Sequence, residues 1–221
     1  FLALMALNVS VDVLDSFPLI NKGLEQTNRN FETKVNMVYA DFDMQKALSA
    51  DKVQPYYDQA QYIRQLADNI SAYIMDQRNQ MIALLNDISV EEAALLPLED
   101  LKAKDNYSIS SRFWLRENTQ DPTREGGRGT RAYELREKIL YFKHNIDSIL
   151  GIHKLSDFVQ LGLDVEGPFF RQDMEVSWQM LMFDRVISVA VATNLSRLLT
   201  EVRNAEFDAV NLLYGAITAD D

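Results

Sequence analysis

From Val191 to Ala216, apolar or small residues recur at alternating steps of four and three: Val191, Leu195, Leu198, Val202, Ala205, Ala209, Leu212 and Ala216. Only an α-helix gathers such positions on one face, because a strand repeats every two residues. A helix that long must bury its stripe against partners of similar length. Leu199, Val210 and Leu213 widen the apolar face, which favours packing inside a bundle over a narrow two-helix zipper. The alanines at 205, 209 and 216 would let a neighbouring helix approach closely. Leu195, Leu198, Val202, Ala205, Ala209 and Leu212 are therefore the candidate seam, either within the bundle or between two copies of the chain.

The rest of the chain supplies such partners. Leu24, Asn28, Phe31, Val35, Val38 and Phe42 follow the same spacing on one long helix. Pro18, preceded by Asp15 and Ser16, either starts a new helix there or kinks a continuous one. Ser49 or Asp51 can cap a second helix whose apolar positions run Ile63, Leu66, Ile70, Tyr73 with Ile74, Met81, Leu84 and Ile88. A shorter amphipathic piece over 90–101 is broken by Pro97. Residues 102–129 read as irregular, with a polar exposed loop over 118–129. Thr130 is a suitable cap for a helix with the seam Leu135, Ile139, Phe142, Ile146 and Ile149, and Gly151 stands where its C-terminal cap is expected. A second irregular stretch covers 152–175. With 8 Gly and 5 Pro in 221 residues, turns are too few for a β-sandwich. The expected fold is all-α, a bundle of long helices.

Chemistry finds little support. The net charge of −11 disfavours nucleic acid, which needs clustered Lys and Arg. With no cysteine, disulfides, thiolate metal sites and cysteine nucleophiles are excluded. His144 and His153 lack a partner at metal-ligand spacing. Gly126-Gly127-Arg128-Gly129 has neither the lysine of a phosphate loop nor a preceding strand. The carboxylate pairs Glu91-Glu92, Glu99-Asp100 and Asp220-Asp221 sit in polar surroundings. The sequons at Asn69 and Asn194 fall inside expected helices and read as chance matches. No catalytic residue, metal or cofactor is assigned.

The other end of the chain carries a different signal. Phe1 to Leu7 is an unbroken apolar run that stops at Asn8, and Ser10 and Asp12 follow. Seven residues are far short of the roughly 20 that span a bilayer. Three readings stay open on the pattern alone: the end of a membrane helix whose earlier part lies upstream of Phe1, the first turn of a core helix, or the end of a signal-peptide h-region, for which no clean small-x-small cleavage site follows.

The segment Ala3-Leu4-Met5-Ala6-Leu7-Asn8-Val9-Ser10-Val11-Asp12-Val13-Leu14-Asp15-Ser16-Phe17 resembles the end of the transmembrane helix and its periplasmic continuation in the GldM/PorM family. Trp178, Phe183, Ala190, Thr193, Leu195, Leu198, Val202, Glu206 and Leu213 are similarly arranged to the last helix of that family's first periplasmic domain. Glu201-Val202-Arg203-Asn204-Ala205-Glu206 is the most typical stretch. The resemblance implies an inner-membrane subunit of the Bacteroidetes type IX secretion and gliding machinery, driven by the proton motive force and not an enzyme. It implies residues 1–14 as the periplasmic end of the membrane helix and 15–218 as the helical first periplasmic domain. It also implies pairing into a homodimer, a GldL/PorL-like ring subunit touching Phe1, Leu2, Leu4, Met5 and Leu7, and a GldK/GldN-type outer ring reached through further, β-rich domains. The bulk of the chain would lie in the periplasm. Two rival readings come from the residues themselves: a membrane-anchored periplasmic sensory domain binding a ligand between helices, and a soluble helical enzyme.

Overall fold

The structure, a computed structural model, describes residues 9–116 and 128–219. Seven α-helices order the described chain: α1 Val11–Leu48, α2 Ala50–Asn86, α3 Val90–Leu95, α4 Ser108–Leu115, α5 Arg131–Ile152, α6 Trp178–Phe183 and α7 Ser188–Ala219. One antiparallel hairpin interrupts them, β1 Phe169–Arg171 with β2 Met174–Val176. The fold is an all-α bundle.

Helix α1 begins where Ser10, in extended conformation, accepts a hydrogen bond from the Val13 amide, and Asp12 adds a carboxylate to the first turn. Pro18 lies inside this helix, which runs on without interruption to Leu48. The second of the two readings of Pro18, a continuous helix, is the one found. Thr130 caps α5 by accepting from the Tyr133 amide, as its position suggests.

Three long helices form the main layer. The α1–α7 contacts ascend together: Leu24 with Thr200, Phe31 with Phe207, Phe42 with Tyr214. Helices α1 and α7 are therefore parallel. Helix α2 runs the other way, pairing Tyr57 with Phe42 and Arg78 with Ala192. Helix α5 lies on α2, with Tyr62 near Tyr141 and His153 bonded to Gln59. At 1.5 Å per residue, α1 and α7 extend about 57 and 48 Å.

Several expectations need correcting. Residues 108–115, expected to be irregular, form α4, and they bury Phe113, Trp114 and Leu115. Trp114 stacks on Phe183 (centroids 4.3 Å apart, 16° between planes) and its indole N–H points to the Met81 sulfur at 3.3 Å. Eight residues are too few for a periodic signal, so tertiary packing decides here. Leu84 is 57% exposed, because a straight helix turns 3.6 residues at a time and its inner face has drifted to Ile82 and Leu85 by then. The irregular 152–175 stretch holds β1 and the start of β2.

Gly151 does not cap α5. The helix passes through it to Ile152, and Lys154 takes the left-handed conformation (φ 59°). The Lys154 amide bonds to the Gly151 carbonyl and the Leu155 amide to the Leu150 carbonyl, the double bond of a Schellman turn. The loop expected over 118–129 lies outside the described residues except for Arg128 and Gly129, which are exposed before α5.

Lys154→Gly should raise stability by about 1 kcal/mol in urea unfolding, because glycine has no side-chain penalty in the left-handed region. Trp114→Ala should lower it by about 3–5 kcal/mol. A neutral result for the tryptophan would show that α4 is not part of the core.

Candidate functional site

At mid-length of the long helices four charged side chains meet, those of Glu32, Asp68, Arg203 and Glu206. Glu206 on α7 is completely buried. Its Oε1 accepts from the Tyr39 hydroxyl of α1 at 2.9 Å, and its Oε2 lies 2.7 Å from Arg203 Nη1. The same Arg203 nitrogen is 2.9 Å from Asp68 Oδ1 on α2, and Arg203 Nε is 3.9 Å from Glu32 Oε1 on α1. Arg64 of α2 lies over the Tyr39 ring, 4.8 Å from its centroid. The Tyr39 oxygen is also 3.3 Å from the Ala60 carbonyl, but its single proton favours the nearer, charged acceptor. This clasp ties α1, α2 and α7 at one level.

Its electrostatics follow from unequal burial. Removal from water pushes the Glu206 carboxyl above its ordinary value, against the pull of Arg203 and Tyr39. Burial also pushes the Tyr39 hydroxyl up, and the neighbouring Glu206 adds to it. For Arg203 burial works the other way, but Glu206 and Asp68 outweigh it and the guanidinium is held more firmly charged. The two partners differ because the Arg203 side chain keeps 16% exposure and Glu206 none.

The lower end of α7 is anchored separately. The Ser188 and Val189 amides donate to the Asn106 and Lys104 carbonyls at 2.8 and 3.1 Å. Arg171 of β1 reaches the end of α6, pairing with Asp184 at 2.9 Å and donating to the Met180 carbonyl at 2.6 Å. The same Arg171 nitrogen, Nη2, also donates to the Leu181 and Asp184 carbonyls at 3.4 and 3.1 Å, which the helix end leaves open. Nearby, Lys104 pairs with Asp15 at 3.3 Å and Lys22 with Glu99 at 2.7 Å, which brings the first turns of α1 to the same end of the bundle. Val11 and Leu19 are exposed there.

Phe1, Leu2, Leu4, Met5 and Leu7 lie outside the described residues. Leu195, Leu198, Val202, Ala205 and Ala209 are buried, whereas Leu212 is half-buried and the inner face continues through Leu213 and Ile217. Val35, Val38 and Phe42 of the α1 stripe are buried in the same core. The clasp was missed as a unit, although Arg203 and Glu206 stand in the stretch that looks most typical of the family. The available signal was a glutamate inside an apolar stripe, four residues beyond Val202. Among the described residues no group of three His, Asp or Glu side chains could hold a metal ion. No helix among them is long and apolar enough to cross a membrane. His153 stacks on Tyr56 at 4.5 Å.

A raised carboxyl value means the folded protein binds this proton more tightly than the unfolded chain. Glu206 therefore contributes more favourably as pH falls from its raised value through 4.5, its ordinary value. In urea unfolding, the wild type should gain stability relative to Glu206→Gln across that window. A gap independent of pH would contradict the assignment. Tyr39→Phe, which leaves the buried carboxylate short of a donor, should cost about 1–3 kcal/mol at neutral pH.

No curated protein matches the chain. A family model described as the GldM N-terminal domain matches residues 12–216. The match starts one residue into α1 and stops in the last turn of α7, so it covers the bundle as one unit, clasp included. The proteins of that family are structural and membrane-associated, with a periplasmic domain. With nearly its whole length matched, the chain belongs to the GldM family of gliding-motility and type IX secretion proteins.

Proposed function

We propose that this domain is the first periplasmic segment of a motor subunit, carrying mechanical energy from the inner membrane into the periplasm. The proton motive force drives the motion, and type IX secretion and gliding use it. The observation that carries the reading is the parallel arrangement of α1 and α7. The chain comes into the bundle at one end of α1 and leaves α7 at the other, so a push or twist at the first is delivered at the second. Close-packed interiors compress little and transmit strain. The clasp joins the two helices so that they move together.

In this reading residues 1–14 end the membrane helix, and 15–218 form the helical periplasmic domain. Phe1, Leu2, Leu4, Met5 and Leu7 touch a GldL/PorL-like ring subunit. Two copies pair as a homodimer, with Leu212 and the half-buried side of α7 available to the second copy. Further domains reach a GldK/GldN-type outer ring. Catalysis has no part in this mechanism: the groups at the clasp hold helices together.

Solubilised gently from membranes, the full-length protein should co-purify with a small two-helix membrane protein. Its emergence alone would overturn the motor reading. Glu206→Ala, if the protein still accumulates and retains that partner, should reduce secretion, because assembly survives while coupling through the bundle is loosened.

A further inference from the structure

The drift that turns Leu84 outward on α2 leaves an apolar side chain in the open, and neighbouring elements extend it into a groove. This groove, of about 870 Å³, lies between the end of α2, the start of α3, helix α4 and the start of α5. Its floor is apolar, made by Leu84, Ile88, Val90, Ile109 and Phe113. Leu84 is 57% exposed and Val90 37%, so the groove is shallow and much of the floor stands in water. Apolar surface gathered in this way marks an interaction site, where a single exposed side chain would not.

The charged groups of the groove are divided between its walls. Helices α4 and α5 contribute Arg112 and Arg131, and the end of α2 contributes Asp87. Arg131 is held in place: its Nη1 donates to the Phe113 carbonyl at 3.2 Å, and its guanidinium lies over the Phe113 ring, 4.2 Å from the centroid. It forms no ion pair with a carboxylate of the described residues, and the exposed Arg112 side chain bonds to none of them. In a chain of 33 acidic and 22 basic residues, two guanidiniums on one wall without a carboxylate partner are a local reversal of sign. A small ligand would leave most of this open floor wet, whereas ligand sites enclose their guest. The walls are mainly helical, with backbone amides already bonded internally, so they offer no edge to an extended strand. A helix about 10 Å across can lay an apolar stripe on the floor. Carboxylates on its flank would meet Arg112 and Arg131 and be repelled by Asp87, which fixes the side they take.

We propose that this groove docks an amphipathic helix of a partner protein, acidic along the flank that faces Arg112 and Arg131. The inference goes beyond the motor reading and does not rest on it.

In cells making the full-length protein, Leu84→benzoylphenylalanine places a photo-reactive probe over the floor. Irradiation should give one main adduct, whose joined peptide has apolar residues at helical spacing with Asp or Glu beside them. Arg112→Glu should cut that adduct about tenfold, and changing the facing carboxylate of the joined peptide to lysine should restore it. Arg112→Gln, which removes the charge without reversing it, should give a smaller loss and serves if the glutamate variant fails to fold. The proposal falls if no adduct forms, or if the adduct is a lipid, a second copy of this chain or the chain's own residues 117–127. It falls equally if the joined peptide carries no carboxylate, or if the Arg112 variants leave the yield unchanged.

Discussion

Helix α7 packs along its length against both α1 and α2, and the remaining topology follows from that one burial. Its apolar face is too long to be covered by a short neighbour. Because it lies parallel to α1, the chain must return to the lower end of the bundle before α7 can start. Helix α2 makes the first return. Helix α5 then climbs beside α2, and a second descent is needed. The stretch after Lys154 makes that descent: by Val165 the chain is back beside Arg136, whose Nε donates to the Val165 carbonyl at 3.1 Å. The short hairpin and α6 complete the path to Ser188.

The spacing of apolar residues made the long helices legible, because burial over many turns leaves a repeated mark. Thr130 was legible for a local reason, since a hydroxyl before an apolar-periodic run satisfies open amides. What stayed hidden lacked repetition. Helix α4 is short and owes its place to Trp114 between Met81 and Phe183, residues distant in sequence. The end of α5 misled because glycine usually takes the left-handed position, yet Lys154 holds it here. Toward Leu212 and Ala216, both half-buried, the heptad spacing parts from the inner face of this chain for geometric reasons. A straight helix drifts by about 20° per heptad, so burial passes to Leu213 and Ile217.

The clasp shows a different limit. A carboxylate in an apolar stripe is visible in the sequence, but the clasp also draws on α1 and α2, whose Tyr39 and Asp68 lie more than a hundred residues before it. Neither Tyr39 nor Asp68 carries a local sign of its role. Family resemblance marked the segment around Arg203 and Glu206 without saying why those side chains matter. The reason is that both oxygens of a fully buried carboxylate are engaged: one by Tyr39 of α1, whose position depends on the axial register of the helices, the other by Arg203 of the same helix, which in turn reaches Asp68 of α2.

That dependence is what a mechanical element needs. Apolar faces alone tolerate sliding, since one aliphatic contact replaces another with modest loss. A slip of α7 by one turn along α1, about 5.4 Å, would replace Tyr39 with Val35 or Asp43. The first offers no donor, and the second brings a like charge. Leaving the buried carboxylate without the Tyr39 donor costs on the order of 1–3 kcal/mol, so the slipped state is disfavoured. The cost of burying Glu206, visible in its raised carboxyl value, is thus tied to a single register. Hydrophobic packing gives the bundle its strength, and the clasp fixes the position at which that strength is applied.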